Sequence, residues 1–318
     1  MPNRRKVFVT FPVLPSVRAL IHDHCDAAFN ETGRTLAFEE LLARVRGREM
    51  LMITVSDRLD RASISRLPPC VRIIATYSVG HEHIDLAAAR ERGVTVLNTP
   101  DVLTDAVAEI GIFLLLGAAR RATESISLLR NRQWSGWSPV QLPGKQLSGK
   151  NLGIVGMGRI GRAIAHRARA FGMTTHYCRQ SPLASSEGVW HRTNAELLAM
   201  SQFLVLSCSS SPSTREFLDC AAVAQLPTSA VVVNVSRGDI VKDDALIGGL
   251  QSGKVGAAGL DVYKNEPQLD SRYFDLPNVF MTPHIGSSTV EAREAMARNL
   301  LEGADAIERG GAPKNRLT

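Results

Sequence analysis

A chain of 318 residues, 44% hydrophobic and 21% charged, has the composition of a soluble globular protein of about two domains. No apolar run reaches the roughly 20 residues of a membrane span, and the Arg4-Arg5-Lys6 start leads into Pro12 and Pro15 rather than a cleavable leader. The net charge of +6 is spread without sustained basic runs or interleaved aromatics, which argues against nucleic acid and suits a surface that attracts small anions. Five scattered cysteines, odd in number and without a CxxC pair, fit reduced thiols in the cytoplasm better than a disulfide framework or a zinc site.

From Lys6 to Asn98 short apolar runs alternate with helical stretches. Val7–Thr10, Met50–Val55, Arg72–Thr76 and Val94–Leu97 read as strands, and Ser16–Cys25, Glu39–Arg46 and Leu86–Arg92 as helices. This alternation predicts parallel strands with helical crossovers, an α/β domain over residues 1–98. Tyr77-Ser78-Val79-Gly80 follows a strand at the place where open α/β sheets bind ligands. It is either a backbone N–H cradle for a carboxylate or a plain turn. His22/His24 and His81/His83 each flank an acidic residue, but a spacing of two does not join ligands on a helix, so they read as solvated polar faces and no metal is expected.

Asn98-Thr99-Pro100-Asp101 marks a break. One long helical pattern then runs over Thr104–Leu129. The loop Gln133-Trp134-Ser135-Gly136-Trp137-Ser138-Pro139 follows, with two tryptophans that are costly to leave in water. They pack either on the same chain or on a partner subunit.

Asn151–Gly161 is the centre of the chain. A buried apolar strand stops at Gly156, Gly158 and Gly161, and an amphipathic helix, Ile160–Phe171, starts at once. That is the context of the dinucleotide fingerprint. Gly156 allows the tight turn, and Gly158 lets a pyrophosphate approach the positive end of the helix. Gly161 lets helix and strand pack closely, and Arg159 and Ile160 complete the candidate set. Strands at Asn151–Val155, Thr174–Cys178, Phe203–Leu206, Ala230–Val235, Val255–Leu260 and Val279–Thr282 make six strands around one phosphate turn, and Thr289–Glu308 is the last helix.

A dinucleotide domain normally ends its second strand in an acid that binds the adenosine ribose. Here that strand ends Tyr177-Cys178-Arg179-Gln180-Ser181, with no acidic residue between Phe171 and Ser186. A guanidinium at Arg179, with Gln180 and Ser181 as further donors, suits a 2′-phosphate, so NADPH is expected over NADH.

Three more strand ends carry polar residues: Asn234-Val235-Ser236-Arg237-Gly238, Gly259-Leu260-Asp261-Val262 followed by Glu266, and Thr282-Pro283-His284-Ile285-Gly286-Ser287. An arginine, a glutamate and a histidine beyond the carboxyl ends of such strands are the components needed to reduce a 2-oxo acid. Gly-Met-Gly-Arg-Ile-Gly, Asn-Val-Ser-Arg-Gly-Asp, Ala-Gly-Leu-Asp-Val and Pro-His-Ile-Gly-Ser occur here in the order and spacing of the D-isomer-specific 2-hydroxyacid dehydrogenases, which the chain resembles over nearly its whole length. Ser78-Val79-Gly80, Pro100–Asp105, the Trp134/Trp137 loop and Arg179 resemble the glyoxylate/hydroxypyruvate reductases of that family.

The resemblance implies two Rossmann-like or flavodoxin-like α/β domains with parallel sheets and an active site in the cleft between them. Residues 99–288 would bind NADP, and 1–98 with 289–318 the substrate. His284 would be the general acid, with Glu266 as the carboxylate that favours its protonated ring. Arg237 would hold the substrate carboxylate and polarise the carbonyl, with Val79 and Gly80 N–H groups on the same carboxylate. Asp261 would meet the nicotinamide end, and Thr104, Ser207, Val235 and Ser236 would line the cofactor channel. The subgroup implies a cytosolic homodimer using NADPH, with Trp137 entering the partner subunit's active site and limiting substrate size. One departure is local: many members carry proline close after the strand ending at Leu206, where this chain has Ser207-Cys208-Ser209-Ser210-Ser211-Pro212. Two rivals stand beside this reading: another D-2-hydroxyacid or phosphoglycerate dehydrogenase, and a dinucleotide-sensing binding protein on the same fold.

Overall fold

The computed structural model describes residues 4–318. It divides into two compact units: the described residues up to Leu103 with Ser287–Thr318, and Thr104–Gly286. The first unit opens with β1 (Arg5–Val9), α1 (Pro15–His24), β2 (Cys25–Phe29), α2 (Phe38–Arg44), β3 (Met50–Ile53), α3 (Arg61–Arg66), β4 (Ile73–Thr76), α4 (Leu86–Glu91) and β5 (Thr95–Leu97). Its five strands form one parallel sheet in the order β2-β1-β3-β4-β5, a doubly wound, flavodoxin-like arrangement. Every residue of β3 and β4 is buried, as expected of a parallel sheet covered on both faces.

The second unit holds α5 (Thr104–Ala119), α6 (Ala122–Arg130), β6 (Asn151–Val155), α7 (Arg159–Ala170), β7 (Thr174–Cys178), β8 (Val189–His191), α8 (Asn194–Met200), β9 (Phe203–Leu206), α9 (Cys220–Gln225), β10 (Ala230–Asn234), α10 (Asp243–Ser252), β11 (Val255–Leu260) and β12 (Val279–Met281). The seven parallel strands lie in the order β12-β11-β10-β9-β6-β7-β8. Counted from β6, that is the Rossmann order with one further strand, and its direction reverses between β6 and β9. The chain returns to the first unit as α11 (Val290–Glu308).

Three features depart from the sequence reading. β2 was not expected, because Cys-Asp-Ala-Ala-Phe lacks β-branched residues. Register with β1 (Val7 opposite Ala27) makes it a strand all the same. β8 adds a seventh strand as a three-residue edge, too short to show a pattern. The single helix expected over Thr104–Leu129 is two helices, broken where Arg121 takes a left-handed backbone with φ 56°. The chain passes from the first unit to the second after Leu103 and returns after Gly286. Asn98 N–H donates to Asn315 O at 3.0 Å and Thr99 N–H to Ser78 O at 3.0 Å, which keeps both residues in the first unit. Among the described residues no helix is long and apolar enough to cross a membrane.

Arg5, 5% exposed, ties β1 to α11: Nη2 and Nε donate to Asp305 and Glu308, each at 2.8 Å. Removing the guanidinium strands two carboxylates that can partly rehydrate, so the cost falls below that of breaking a fully buried pair. Arg5→Ala is expected to destabilise the protein by about 2–3 kcal/mol, read as a lower urea midpoint; an unchanged midpoint would mean the pair contributes nothing.

Candidate active site

The turn after β6 is shaped by what its glycines lack. Gly156 has φ 95°, and a Cβ there would overlap the Ser207–Cys208 backbone that leaves β9. A Cβ at Gly161 would collide with the carbonyl of Gly156. Helix, turn and neighbouring strand end therefore close on one another at the point where strand order reverses. Gly158 differs: a Cβ there would meet nothing within 4 Å, and Gly158 caps α7 without any side chain serving the helix's first N–H groups. An open cradle at an uncapped helix N-terminus fits a dinucleotide pyrophosphate. Ser207, expected to line the cofactor channel, spends its hydroxyl on Gly156 O at 2.9 Å and so locks the turn.

At the end of β7, Arg179, Gln180 and Ser181 are exposed. Trp190 on β8 donates its indole N–H to Arg179 O at 3.0 Å, fixing the backbone while the guanidinium makes no ion pair among the described residues. The end of β10 is held by Asn234, 1% exposed. Its Oδ1 accepts from Ser236 N–H at 3.0 Å and Ser236 Oγ at 2.8 Å, and its Nδ2 donates to Arg237 O at 2.9 Å. Val235 and Ser236 are buried in this turn. Gly238 comes next, and a Cβ on it would overlap the Tyr263 carbonyl group. That contact brings the Arg237 turn against the loop bearing Glu266.

Asp261, at the end of β11, is 1% exposed. Its Oδ1 accepts from Thr282 Oγ1 at 2.7 Å and Ile285 N–H at 2.8 Å, and its Oδ2 from Gly286 N–H at 2.7 Å. The sequence reading sets Asp261 against the nicotinamide; in the structure both oxygens are engaged by the loop that carries His284. Burial pushes the Asp261 carboxyl up, and these donors and the His284 charge only partly offset it. Tyr263, half-buried beside it, puts its hydroxyl 2.9 Å from both Leu260 O and Thr282 O.

His284 is held with φ 52°, and its Nδ1 lies 2.6 Å from Glu266 Oε2. Glu266 Oε1 accepts from Tyr263 N–H at 2.6 Å. Burial alone would raise the Glu266 carboxyl. Its hydrogen bond to His284, the charges of His284 and Arg237, and the Tyr263 N–H outweigh that and hold it below the ordinary glutamate range. So the carboxylate stays ionised at neutral pH beside an imidazole and within reach of an arginine's field. Such a set can bind an anion and deliver a proton from the other ring nitrogen.

Within this unit the structure gathers the phosphate turn, Ser207, Val235–Arg237, Asp261, Glu266 and His284 beyond the carboxyl ends of β6, β9, β10, β11 and β12. Thr104 opens α5, whose Val107 lies near Gly286. Trp137 is 83% exposed, so its own chain does not cover it. In the first unit, the Ser78, Val79 and Gly80 carbonyls are taken by Thr99 N–H, Asn98 Nδ2 and Ser78 Oγ. The N–H groups of Val79 and Gly80 make no hydrogen bond among the described residues. Sequence reasoning gave no role to Asn234, Gly238, Tyr263 or Thr282. Asn234, whose side chain closes a local turn, and Gly238, next to Arg237, carry local signals; Tyr263 and Thr282 act across the fold, through Thr282 O and Asp261, with none.

Residues 112–286 match the family described as D-isomer specific 2-hydroxyacid dehydrogenase, NAD binding domain. The chain is 38% identical over 310 residues to the glycerate dehydrogenase of Hyphomicrobium methylovorum, covering 96% of each protein. It is 38% identical over 317 residues to the glyoxylate reductase of Thermococcus kodakarensis, covering 98% of this chain and 95% of that one. The crystal structure of an NADPH-dependent glyoxylate/hydroxypyruvate reductase from Sinorhizobium meliloti, in complex with NADP and malonate, superposes with a TM-score of 0.87 at 29% identity, covering 99% of this chain and 97% of that one. A nucleotide turn that fits a pyrophosphate, an ionised glutamate paired to a histidine, and similarity along the whole chain agree: this protein belongs to the D-isomer specific 2-hydroxyacid dehydrogenase family of oxidoreductases.

Proposed function

We propose that the protein reduces glyoxylate and hydroxypyruvate with NADPH, giving glycolate and D-glycerate. The observation that carries this reading is the 2.6 Å contact of His284 Nδ1 with Glu266 beside the Arg237 turn, on the sheet edge that bears the phosphate turn. The glyoxylate reductase and glycerate dehydrogenase relatives support the substrate class.

When bound, the nicotinamide supplies the hydride that C2 of the acid receives. Arg237 holds the substrate carboxylate and polarises the C2 carbonyl. Val79 and Gly80 N–H groups are assigned to the same carboxylate. His284 gives the proton at its Nε2 to the carbonyl oxygen as the C2 hydroxyl forms, while Glu266 at Nδ1 keeps the ring oriented and stabilises its charge. Asp261 is assigned to the nicotinamide end, and its bonds to Thr282, Ile285 and Gly286 also hold the His284 loop in place. Gly156, Gly158, Arg159, Ile160 and Gly161 hold the pyrophosphate and Arg179, Gln180 and Ser181 the 2′-phosphate, with Thr104, Ser207, Val235 and Ser236 around the cofactor. The exposed Arg179, without an ion pair among the described residues, and the NADP-bound relative support NADPH. A cytoplasmic homodimer completes the reading, with Trp137 closing the partner's substrate site. Trp137 at 83% exposure, and α6 with no buried residue but exposed Ile126 and Leu129, support that interface.

His284→Ala is expected to lower kcat by about 100- to 10,000-fold with KM less affected; an intact kcat removes His284 from the proton step. In Glu266→Gln the ring keeps a hydrogen-bond partner but loses the carboxylate charge beside it, so kcat is expected to fall about 10- to 100-fold with KM less affected, and an intact kcat would contradict the pairing.

Arg179→Ala is expected to lower the ratio of kcat/KM for NADPH over NADH about 10- to 100-fold, the range of a charge-assisted contact. An unchanged ratio would place the selectivity elsewhere.

A further inference from the structure

Arg293 lies on α11, in the same unit as β4 and the loop after it. Its guanidinium carbon sits 5.8 Å from the centre of the Tyr77 ring, and the Tyr77 hydroxyl donates to the Arg293 backbone carbonyl. The Phe11 ring packs against Tyr77 at 5.1 Å. The guanidinium is half-buried and meets no carboxylate or other acceptor among the described residues. Arg5, Arg61, Arg121 and Arg272 all have carboxylates that favour the charged form. For Arg293 burial works against the charge, and Tyr77 alone opposes that effect.

A desolvated cation without a counter-ion is costly to keep unless a ligand supplies the anion or acceptor. Tyr77 runs straight into Ser78-Val79-Gly80, where every carbonyl is already bonded and the Val79 and Gly80 N–H groups are not. The end of β4 thus carries donors and no unclaimed acceptor. In the 2-oxo acid reading on which this inference rests, the two N–H groups are given to the C1 carboxylate. What remains for another guanidinium is the far end of the acid.

We propose that Arg293 is a specificity-determining residue whose guanidinium contacts an oxygen-bearing group on C3 of the substrate. The preferred class is then a 2-oxo acid with a hydroxyl or anionic group at C3. A half-buried donor left unpaired by a substrate lacking that group penalises the analogue.

Hydroxypyruvate and pyruvate differ only in the C3 hydroxyl, so the ratio of their kcat/KM values with NADPH reads the contact. In Arg293→Met the hydroxypyruvate-to-pyruvate ratio is expected to fall about 10- to 100-fold, mainly through KM for hydroxypyruvate. Arg293→Lys, which keeps the charge but loses the planar fork, should fall between wild type and Met. A ratio unchanged in both variants, including one where both substrates weaken in parallel, overturns the inference while leaving the reductase reading standing. Wild-type protein that turns over neither these acids nor glyoxylate overturns the reading and the inference together.

Discussion

The catalytic arrangement rests on one buried carboxylate. Asp261 sits at the end of β11 without an ion pair among the described residues, its oxygens accepting from the hydroxyl of Thr282 and the backbone N–H groups of Ile285 and Gly286. Leaving that charge unsolvated would be expensive, so the segment after β12 is drawn around it. His284 lies inside the segment, in a left-handed backbone conformation that a non-glycine residue adopts only where its surroundings require it. The constraint converts a flexible Pro-His-Ile-Gly sequence into a fixed mount from which the imidazole reaches Glu266.

The same logic governs the glycines. Gly238 lets the Arg237 turn touch the Tyr263 backbone, and Gly156 and Gly161 let the phosphate turn close on the end of β9 and on itself. Each removes one methyl-sized volume at a point where two loops meet. The functional groups are then positioned by backbone contact rather than by long side chains, and a group held this way loses little freedom when a substrate binds. Gly158 marks the other case, where the missing side chain leaves space open.

Much of this was legible in the sequence, for identifiable reasons. β6, β7, β9 and β11 have the bounds expected for them: β9 is a continuous apolar run, and the other three are short segments free of charged residues that end against polar or glycine residues. Arg237, Glu266 and His284 could be picked out because chemistry at parallel strand ends follows a rule. β2 could not, since its residues become a strand only by pairing with β1. The break at Arg121 left no mark either, with neither glycine nor proline present. Asp261 stands out as an acid at a strand end, but its bonds to Thr282, Ile285 and Gly286, which fix the loop bearing His284, show only in the folded loop. Arg293 carried no signal at all, because an arginine within a helical pattern looks solvated until its missing counter-ion becomes visible.

Taken separately, the first unit carries the unbonded N–H groups of Val79 and Gly80, and the second a carboxylate–imidazole pair, the Arg237 turn and an open glycine turn. Initial rates of the purified wild-type protein with glyoxylate, hydroxypyruvate, pyruvate and a phenyl-substituted 2-oxo acid, each with NADPH and with NADH, test the whole account most directly. Rapid NADPH oxidation with the small acids and little with the phenyl compound is the predicted result. Preference for NADH would contradict the role of Arg179, and absence of turnover on every acid would contradict the account as a whole.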